Sequence, residues 1–274
     1  MANSVNTNFG ATVALQSLNK TNRELDMVQK RVSTGYRVSD AKDDGASFAV
    51  AQGLRADVKG NEAVNERLSV AKGLMAVTQE GLKGISDTVG EIRKVMVKLA
   101  DDSLSGDERA QYNADYVALQ GDITKYIGQS SFGGKNLLNT GTGFNVISDA
   151  SGGVIALTAV DLSGALATMV AATTATGQNV RDNVLGSGDV LEVFEKAVSD
   201  QLAAVGAKTR TIENQDNFIK VLGDTINDAI GSIVDADLAK ESAKLQALQI
   251  RQQLGTQTLS IANQSPSILL SLFQ

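Results

Sequence analysis

The chain contains no cysteine, no histidine and no tryptophan, and only 4% of its 274 residues are aromatic. Without cysteine and histidine it has no thiol nucleophile, no imidazole general base and none of the usual nitrogen and sulfur ligands of zinc. An enzyme built on this chain would have to use Asp, Glu, Lys or Tyr, and no convergent group of these residues is apparent. We therefore expect no catalytic residue, no cofactor and no metal site.

Charge and hydropathy exclude two further classes of partner. The net charge of -6 argues against a nucleic-acid groove, which requires clustered Lys and Arg. No run of about 18 apolar residues is present, so we expect no membrane insertion. The first basic side chain is Lys20, so the chain lacks the basic start of a cleaved secretory signal peptide. Hydrophobic residues still make up 42% of the chain, which is enough for a packed core.

Two segments in the first half carry helical periodicity. Between Val64 and Leu99, apolar positions alternate steps of four and three residues, which predicts a long helix that begins near Asp43 or Asp44. A second helix is predicted after Ser105, which has the sequence form of a capping box, and should end near Gly128. Since glycines interrupt the first of these helices, it needs a packing partner to persist.

A third long helix is predicted from about Asp189 to Ile233. Aliphatic residues recur there every seven positions, at Leu191, Val198, Val205, Ile212, Ile219, Ile226 and Ile233. Heptads of this length favour a mainly α fold in which long antiparallel helices form a coiled-coil-like bundle. An ordinary amphipathic helix in a globular bundle is the alternative.

The segment between the second and third helices has a different composition. Turn residues at 133–134 and 152–153 separate short apolar stretches, which predicts a small β-hairpin region near 131–160, with the hairpin centred on Gly152 and Gly153. Residues 161–188 are rich in small side chains and are predicted to form a surface connection with at most one short helix. Four threonines there are candidate O-glycosylation positions, although a plain polar loop is the alternative: Thr168, Thr173, Thr174 and Thr176.

Both ends of the chain carry apolar stripes, although chain ends are usually polar and frayed. The candidate self-assembly residues are Leu15, Leu18, Leu25 and Val32 near the start, and Leu238, Leu245, Leu248, Leu259, Leu269 and Phe273 near the end. Two amphipathic ends with exposed apolar faces require each other or neighbouring subunits. The sequence therefore predicts self-association.

The segment Asp40–Gly45 has the acidic start of a calcium loop but departs from its pattern. An EF-hand needs an oxygen ligand at the third position and a bidentate glutamate at the twelfth, and here Lys42 and Ala51 stand there. The alternative is a cluster of carboxylates at the start of a helix, where they face the positive end of the helix dipole.

Four ordered elements resemble bacterial flagellins. The stretch K-R-V-S-T-G-Y-R-V-S-D-A-K-D-D-G-A-S-F-A-V-A at 30–51 resembles the N-terminal signature of that family, with departures at 39, 40, 45, 47 and 48. F-G-G-K-N-L-L at 132–138 and D-A-D-L-A-K-E at 235–241 resemble two further elements. The family's C-terminal segment is matched by short pieces at 249–250, 255–256, 262–264 and 269–273. The matching residues include Arg37, Lys42, Asp43, Asp44, Asn136, Asp235, Asp237 and Glu241.

The resemblance implies a structural subunit that polymerises into the flagellar filament for swimming motility. It implies that residues 1–40 and 235–274 pair as the inner core and that 41–234 form the surrounding shell, with 131–188 in place of larger outer domains. It also implies export through the flagellar type III channel without a cleaved signal peptide, to an extracellular flagellum. The implied partners are further copies of the chain, hook-associated junction and cap proteins and a flagellin export chaperone. A cytoplasmic coiled-coil adaptor and a hook-filament junction protein are the alternatives.

The family also has a stretch read by a vertebrate innate receptor, and this chain departs from it. Flagellins that the receptor detects carry Q-R-V-R-E-L-A-V-Q, and residues 90–98 here are G-E-I-R-K-V-M-V-K. Glu91 replaces the first arginine and Lys94 replaces the glutamate, so two charges are reversed. We therefore expect weak or absent activation of the receptor.

Overall fold

The computed structural model describes residues 8–139, 141–171, 177–185 and 190–271, with the side chains at 170, 171, 177, 179, 183 and 265–271 left out. Over these residues the chain forms seven helices and four short strands, which confirms the predicted mainly α fold. In chain order they are α1 (Phe9–Thr34), α2 (Gly45–Leu99), α3 (Gly106–Gln129), β1 (Ser131–Phe132), β2 (Lys135–Asn136), β3 (Phe144–Ile147), β4 (Val154–Leu157), α4 (Leu162–Ala171), α5 (Gly177–Asn183), α6 (Val190–Val234) and α7 (Leu238–Ser271).

The chain divides into two compact units. The terminal unit comprises residues 1–56 and 225–274, and the central unit comprises residues 57–224. The terminal unit contains α1 and α7, whereas the central unit contains α3, both hairpins, α4 and α5. The long helices α2 and α6 each contribute to both units. Among the described helices, none combines the length and the apolar character that crossing a bilayer requires.

The apolar seam of α2 forms the main line of the central core. All eleven seam positions predicted from the sequence are buried: Val64, Leu68, Ala71, Met75, Thr78, Leu82, Ile85, Val89, Ile92, Met96 and Leu99. The polar member, Thr78, satisfies its hydroxyl by donating to the Leu74 carbonyl oxygen at 2.8 Å. A buried hydroxyl with a partner carries no large desolvation cost, so the seam tolerates this residue.

Helix α6 packs on the same core in the antiparallel sense to α2. Lys72 pairs with Asp216 at 3.2 Å, whereas Arg93, further along α2, pairs with the earlier Glu195. The heptad positions from Leu191 to Ile219 are buried, and Gln215 donates to the Ser148 carbonyl oxygen at 2.7 Å. The polar residues in the middle of α6 therefore fix the helix to α2 and to a hairpin turn.

Helix α3 returns antiparallel to α2 after a short turn. Its predicted capping box is present, because the Ser105 hydroxyl accepts from the Glu108 amide while the Glu108 carboxylate accepts from the Ser105 amide. The hydrogen bond from the Ser105 hydroxyl also lowers the pKa of Glu108. Near the end of α3, Tyr126 is 41% exposed, whereas the adjacent Ile127 is buried. The phenol can keep its hydroxyl in water, whereas isoleucine gains from burial.

Two antiparallel hairpins follow α3. The strands β1 and β2 pair Ser131 with Asn136, and Gly133 and Gly134 between them both have positive φ, as a two-residue turn requires. These glycines were predicted as turn residues, but the hairpin that they close was not predicted. The strands β3 and β4 pair Phe144 with Leu157 and form the predicted hairpin around Gly152 and Gly153.

The prediction for residues 161–188 was wrong in two respects. The segment contains two short helices, α4 and α5, where at most one was predicted. The segment is more than a surface connection, because α4 buries Leu162, Leu166 and Met169, and α5 buries Val180. The few large apolar residues of this stretch fall at steps of four and three, so even a helix rich in Ala and Thr has a buried face. Arg181 also ties α5 to the turn after α2 through Asp102 at 2.7 Å.

Candidate assembly site on the terminal helices

Helices α1 and α7 pair along their length within the terminal unit. The Asn8 side-chain amide donates to the Ala262 carbonyl oxygen at 2.6 Å, and the Gln252 amide donates to the Asn22 side-chain oxygen at 2.8 Å. Arg31 then meets Glu241 at 3.3 Å. Because the α7 partner number falls as the α1 number rises, the two helices are antiparallel.

The inner faces of this pair hold the chain's own two ends together. Val28 and Leu248 are buried, at 1% and 2% exposure. The predicted residues Leu18, Leu25, Val32, Leu245 and Leu259 are half-buried. The helices approach closely at Gly255, where an added Cβ would lie 3.2 Å from Leu18 Cδ1. This contact surface is narrow, since few of its side chains are fully removed from water.

The side of α7 away from α1 carries a second apolar stripe. Ile250, Leu254 and Ile261 are 58–62% exposed. At 100° per residue these three positions fall within about 40° of one another, roughly opposite to Leu248. On α1, Phe9 and Val13 are also exposed and lie on the side opposite to Leu18 and Leu25. We call these five side chains, Phe9, Val13, Ile250, Leu254 and Ile261, the outer face.

The ten assembly residues predicted from the sequence therefore divide into groups. Leu18, Leu25, Val32, Leu245, Leu248 and Leu259 lie on the inner side of the α1–α7 pair, whereas Leu15 and Leu238 are exposed. Leu269 belongs to α7 but its side chain is not described, and Phe273 lies outside the described residues. The sequence analysis missed Ile250, Leu254 and Ile261. Their spacing of four and seven residues is the signal that could have identified them.

The loop after α1 is held to the junction between α6 and α7. Tyr36 forms an antiparallel bridge with Asp235, and the Ala236 amide donates to the Gly35 carbonyl oxygen at 2.9 Å. Arg37 donates from its backbone amide to the Val234 carbonyl oxygen at 2.7 Å and from its guanidinium to the Ile233 carbonyl oxygen. The signature residues Arg37 and Asp235 thus lie at the same junction, although they are far apart in sequence.

The carboxylates of the same loop are used internally. Asp43 accepts from the Ser39 amide and hydroxyl at 3.0 and 2.9 Å and from Lys30 at 3.2 Å. These hydrogen bonds, led by the Ser39 amide, hold the pKa of Asp43 far below its usual range. Asp44 caps α2 by accepting from the amides of Ala46 and Ser47, both at 3.1 Å. Within the described residues, no three acidic groups converge as a metal site would need.

The other signature residues also occupy caps and turns. Asp237 accepts from the Lys240 amide at 3.0 Å and so caps the start of α7. In the central unit, the Asn136 side chain donates to the Ile127 carbonyl oxygen and accepts from the Leu138 amide, both at 2.7 Å. Lys42 is exposed. Arg37, Asp43, Asp44, Asn136 and Asp237 therefore fix chain reversals by supplying specific donors or acceptors, whereas Glu241 joins α7 to α1 through Arg31.

The two positions that differ from the receptor-binding stretch and the candidate O-glycosylation positions lie in the central unit. Glu91 and Lys94 are exposed and pair with each other at 2.6 Å. Thr168 is exposed on α4, although its hydroxyl donates to the Ala165 carbonyl oxygen at 2.6 Å. Thr173, Thr174 and Thr176 lie outside the described residues.

Comparisons with known proteins agree with these elements. The family described as the bacterial flagellin N-terminal helical region matches residues 5–142, and the bacterial flagellin C-terminal helical region matches residues 189–273. Flagellin FljM of Caulobacter vibrioides is 34% identical over 273 residues, which cover 99% of both chains. A flagellin of Brucella melitensis is 33% identical over 284 aligned residues, again covering 99% of both chains.

A solved structure supports the fold. A protein of Vibrio parahaemolyticus described as flagellar hook-associated superposes with a TM-score of 0.59 at 10% identity, and the match covers 70% of this chain and 100% of that one. At that identity the likeness concerns the fold alone. None of these comparisons favours a cytoplasmic adaptor or a junction protein over a flagellin. The chain therefore belongs to the bacterial flagellin family, and its function is that of a structural subunit of the flagellar filament.

Proposed function

We propose that the subunits polymerise through the outer face of the α1–α7 pair. The observation that carries this proposal is the exposure of Phe9, Val13, Ile250, Leu254 and Ile261, which range from 49% to 79%. Burying a Leu or Ile side chain contributes about 1.5–3 kcal/mol, so a neighbour that covers this face stabilises assembly substantially. If the covering surface differs from the outer face itself, the contact is heterologous, and it builds an open filament when its rotation does not close a ring.

In this proposal the terminal segments 1–40 and 235–274 form the inner core of the filament, and 41–234 form its shell. The predicted residues on the inner side, such as Leu25 and Leu248, hold the two ends of one subunit together. The outer-face residues join that pair to neighbouring subunits. The segment 131–188 stands where larger flagellins would carry outer domains, so we expect a thin and smooth filament.

The proposal extends to the route by which subunits reach the filament. We expect export in an unfolded state through the flagellar type III channel, without a cleaved signal peptide, to an extracellular filament. An export chaperone would cover the exposed stripe of α7 before export, and hook-associated junction and cap proteins would contact the subunits at the filament ends. Mass spectrometry of sheared filaments checks that no signal peptide is cleaved, because it should find the peptide that precedes Lys20 intact.

Negative-stain electron microscopy of the purified full chain tests the polymerisation route. Leu254→Asp puts a charge on the outer face, where it would be buried between subunits, and should abolish long fibres or raise the critical concentration by about tenfold or more. Ser260→Asp adds the same charge to the same helix, about 100° away from the stripe, and should polymerise. Ser260 is exposed, as Leu254 is.

Circular dichroism and gel filtration of the two monomers make the comparison interpretable. Before polymerisation is induced, both variants should be monomeric and as helical as the unmodified chain, because Leu254 is 62% exposed and Ser260 is also exposed there. Normal fibres from Leu254→Asp would refute the proposed route. Failure of Ser260→Asp to polymerise would mean that charge anywhere on α7 blocks assembly and that the outer face is not the specific contact.

We also propose that this flagellin activates the vertebrate innate receptor weakly or not at all. Glu91 and Lys94 reverse two charges of the recognised stretch, and they neutralise each other at 2.6 Å instead of facing a partner. In a reporter-cell assay with purified monomer, the double reversal Glu91→Arg with Lys94→Glu should increase the response. A strong response to the unmodified monomer would contradict the proposal.

The threonines at 168, 173, 174 and 176 are proposed sites of O-glycosylation. Thr168 supports this because it is exposed on α4 in the central unit. Intact-mass measurement of filaments sheared from cells should show added hexose-like masses, and these should fall when Thr168→Ala is introduced. A mass equal to that of the bare chain would overturn this assignment.

A further inference from the structure

An apolar groove of about 240 Å³ opens on the central unit, between α2 and the first strands of both hairpins. Its walls include Val70, Leu74, Phe132, Phe144 and Ile147. Three of these side chains, Val70, Phe132 and Ile147, are 41–48% exposed although they are large and apolar. Contiguous exposed apolar surface of this kind is typical of an interaction site.

Two cations stand at the edge of this groove. Arg67 and Lys135 both line it, and neither forms an ion pair with another described residue. The Lys135 ammonium lies 5.7 Å from the centroid of the Phe144 ring, so it covers part of the apolar wall. Because the whole chain has a net charge of -6, a basic rim is complementary to much of the surface of a second copy.

A complementary surface lies on α6 of the same unit. Phe218 and Val221 are 59% and 64% exposed. They point away from the core, whereas the neighbouring Ile219 is buried in it. Asp224 follows Val221 by three residues and is exposed. Positions three apart on a helix are surface neighbours, so two apolar side chains and a carboxylate form one continuous ridge. Asp224 has no ion-pair partner in the described part of the chain.

We propose that Phe218 and Val221 of one subunit insert into this groove of a neighbouring subunit, with Asp224 facing Arg67 and Lys135. The sizes agree, since an apolar cavity of about 150 Å³ holds a benzene ring and the groove is larger. The ridge and the groove are different surfaces of one unit, so the contact is heterologous, the type of contact from which an open helical filament is built when its rotation does not close a ring. This inference rests on polymerisation as proposed above, but it concerns a contact separate from the outer face.

Disulfide trapping tests this contact directly, because the chain has no cysteine of its own. Full-length Val221→Cys and Val70→Cys proteins are mixed, polymerised and mildly oxidised. The expected result is a covalent dimer in filaments of the mixture, at least about tenfold more than in unpolymerised monomers at the same concentration. The matched control replaces Val221→Cys by Val117→Cys, which alters a valine on α3 that is 63% exposed.

The outcomes separate the two proposals. Normal filaments that give no more dimer than the Val117→Cys control would overturn the ridge-and-groove contact while leaving the outer face in place. Failure of the unmodified chain and of all cysteine variants to polymerise would overturn both. If Val70→Cys in finished filaments still reacts with a soluble maleimide as fast as in the monomer, the groove is open for another ligand and the contact is wrong.

Substitutions at the ridge give an independent readout. Phe218→Asp should raise the critical concentration for polymerisation by about tenfold, whereas Phe218→Leu should change it less than threefold. Asp224→Lys should raise it severalfold, and combining it with Arg67→Glu should recover part of the loss. A critical concentration unaffected by Phe218→Asp would contradict the proposal.

Discussion

The two units of this flagellin use apolar side chains in opposite ways. The central unit buries a continuous cluster that runs from Val64 on α2 to Ile219 on α6. The α1–α7 pair of the terminal unit fully buries few apolar residues, among them Val28 and Leu248, and leaves an outer face in solvent. A unit that satisfies its apolar surface internally can fold alone, whereas one that does not requires neighbours. The comparison thus separates residues that hold the subunit together from residues that we propose to join neighbouring subunits.

The largest effect is expected when the inner face of the terminal pair is broken. Leu248→Asp puts a carboxylate in a position that is 2% exposed, and a narrow contact cannot absorb the cost of burying a charge. Hydrogen exchange should show that α1 and α7 lose protection together, while the core-facing stretches of α2 and α6 keep theirs. Leu254→Asp on the same helix should leave monomer protection unchanged. Equal loss in both variants would remove the distinction between inner and outer face.

The next largest effect, on the free energy of unfolding, is expected from truncating a core side chain of the central unit. Phe194 is 1% exposed, and Phe→Ala in a packed core costs about 3–5 kcal/mol. Denaturant unfolding followed by circular dichroism should detect this loss, with filaments still forming at low temperature. The control is the adjacent Val193→Ala, at 57% exposure, which should stay within about 0.5 kcal/mol. A small effect at Phe194 would mean that the central unit is less tightly packed than its burial indicates.

Loss of a helix cap in the central unit should lower stability less than the core truncation does. Ser105→Ala removes the hydroxyl that accepts from the Glu108 amide, and loss of such a cap costs about 0.5–2 kcal/mol. Thermal unfolding should show the decrease. Ser69→Ala, at an exposed position inside α2, should be neutral or slightly stabilising because alanine is the better helix former. A decrease in both variants would point to a general effect of losing a serine.

The smallest predicted effect depends on pH and concerns the terminal unit. The pKa of Asp43 is lowered by hydrogen bonds, first from the Ser39 amide. A carboxylate whose folded pKa lies below its unfolded value, about 3.9, stabilises the fold above that pH and loses its contribution as the pH falls further. Asp43→Asn should therefore lower thermal stability at pH 7, and the difference from the unmodified chain should shrink below pH 4. A pH-independent difference at Asp43 would contradict the assignment.

The long helices of the central unit could be predicted from the sequence. The seam from Val64 to Leu99 is buried at every predicted position, because eleven positions spaced by alternating steps of four and three lie on one face of a helix. The capping box at Ser105 and the hairpin at Gly152 were equally readable, since turn and cap residues act through their immediate neighbours. Long regular apolar patterns, and cap or turn motifs of a few residues, can therefore be predicted from a single sequence.

The division of roles on α7 could not be predicted in the same way. This helix carries one apolar stripe through Leu248 and another through Ile250, Leu254 and Ile261. Periodicity finds both stripes but does not say which one meets α1, because that depends on where the partner helix lies. The buried face of α4 was missed for a related reason: three large residues among many small ones give a weak signal until a neighbouring surface is present.

Reactivity of a single cysteine at position 254 tests the central claim most directly, because the chain contains no other thiol. Leu254→Cys should react rapidly with a soluble maleimide in the monomer, where the native side chain is 62% exposed. In filaments the reaction should slow by about a hundredfold or more, equivalent to about 2.8 kcal/mol of protection. Ser260→Cys, off the stripe, should slow far less. Filaments in which position 254 reacts as fast as in the monomer would contradict assembly through the outer face.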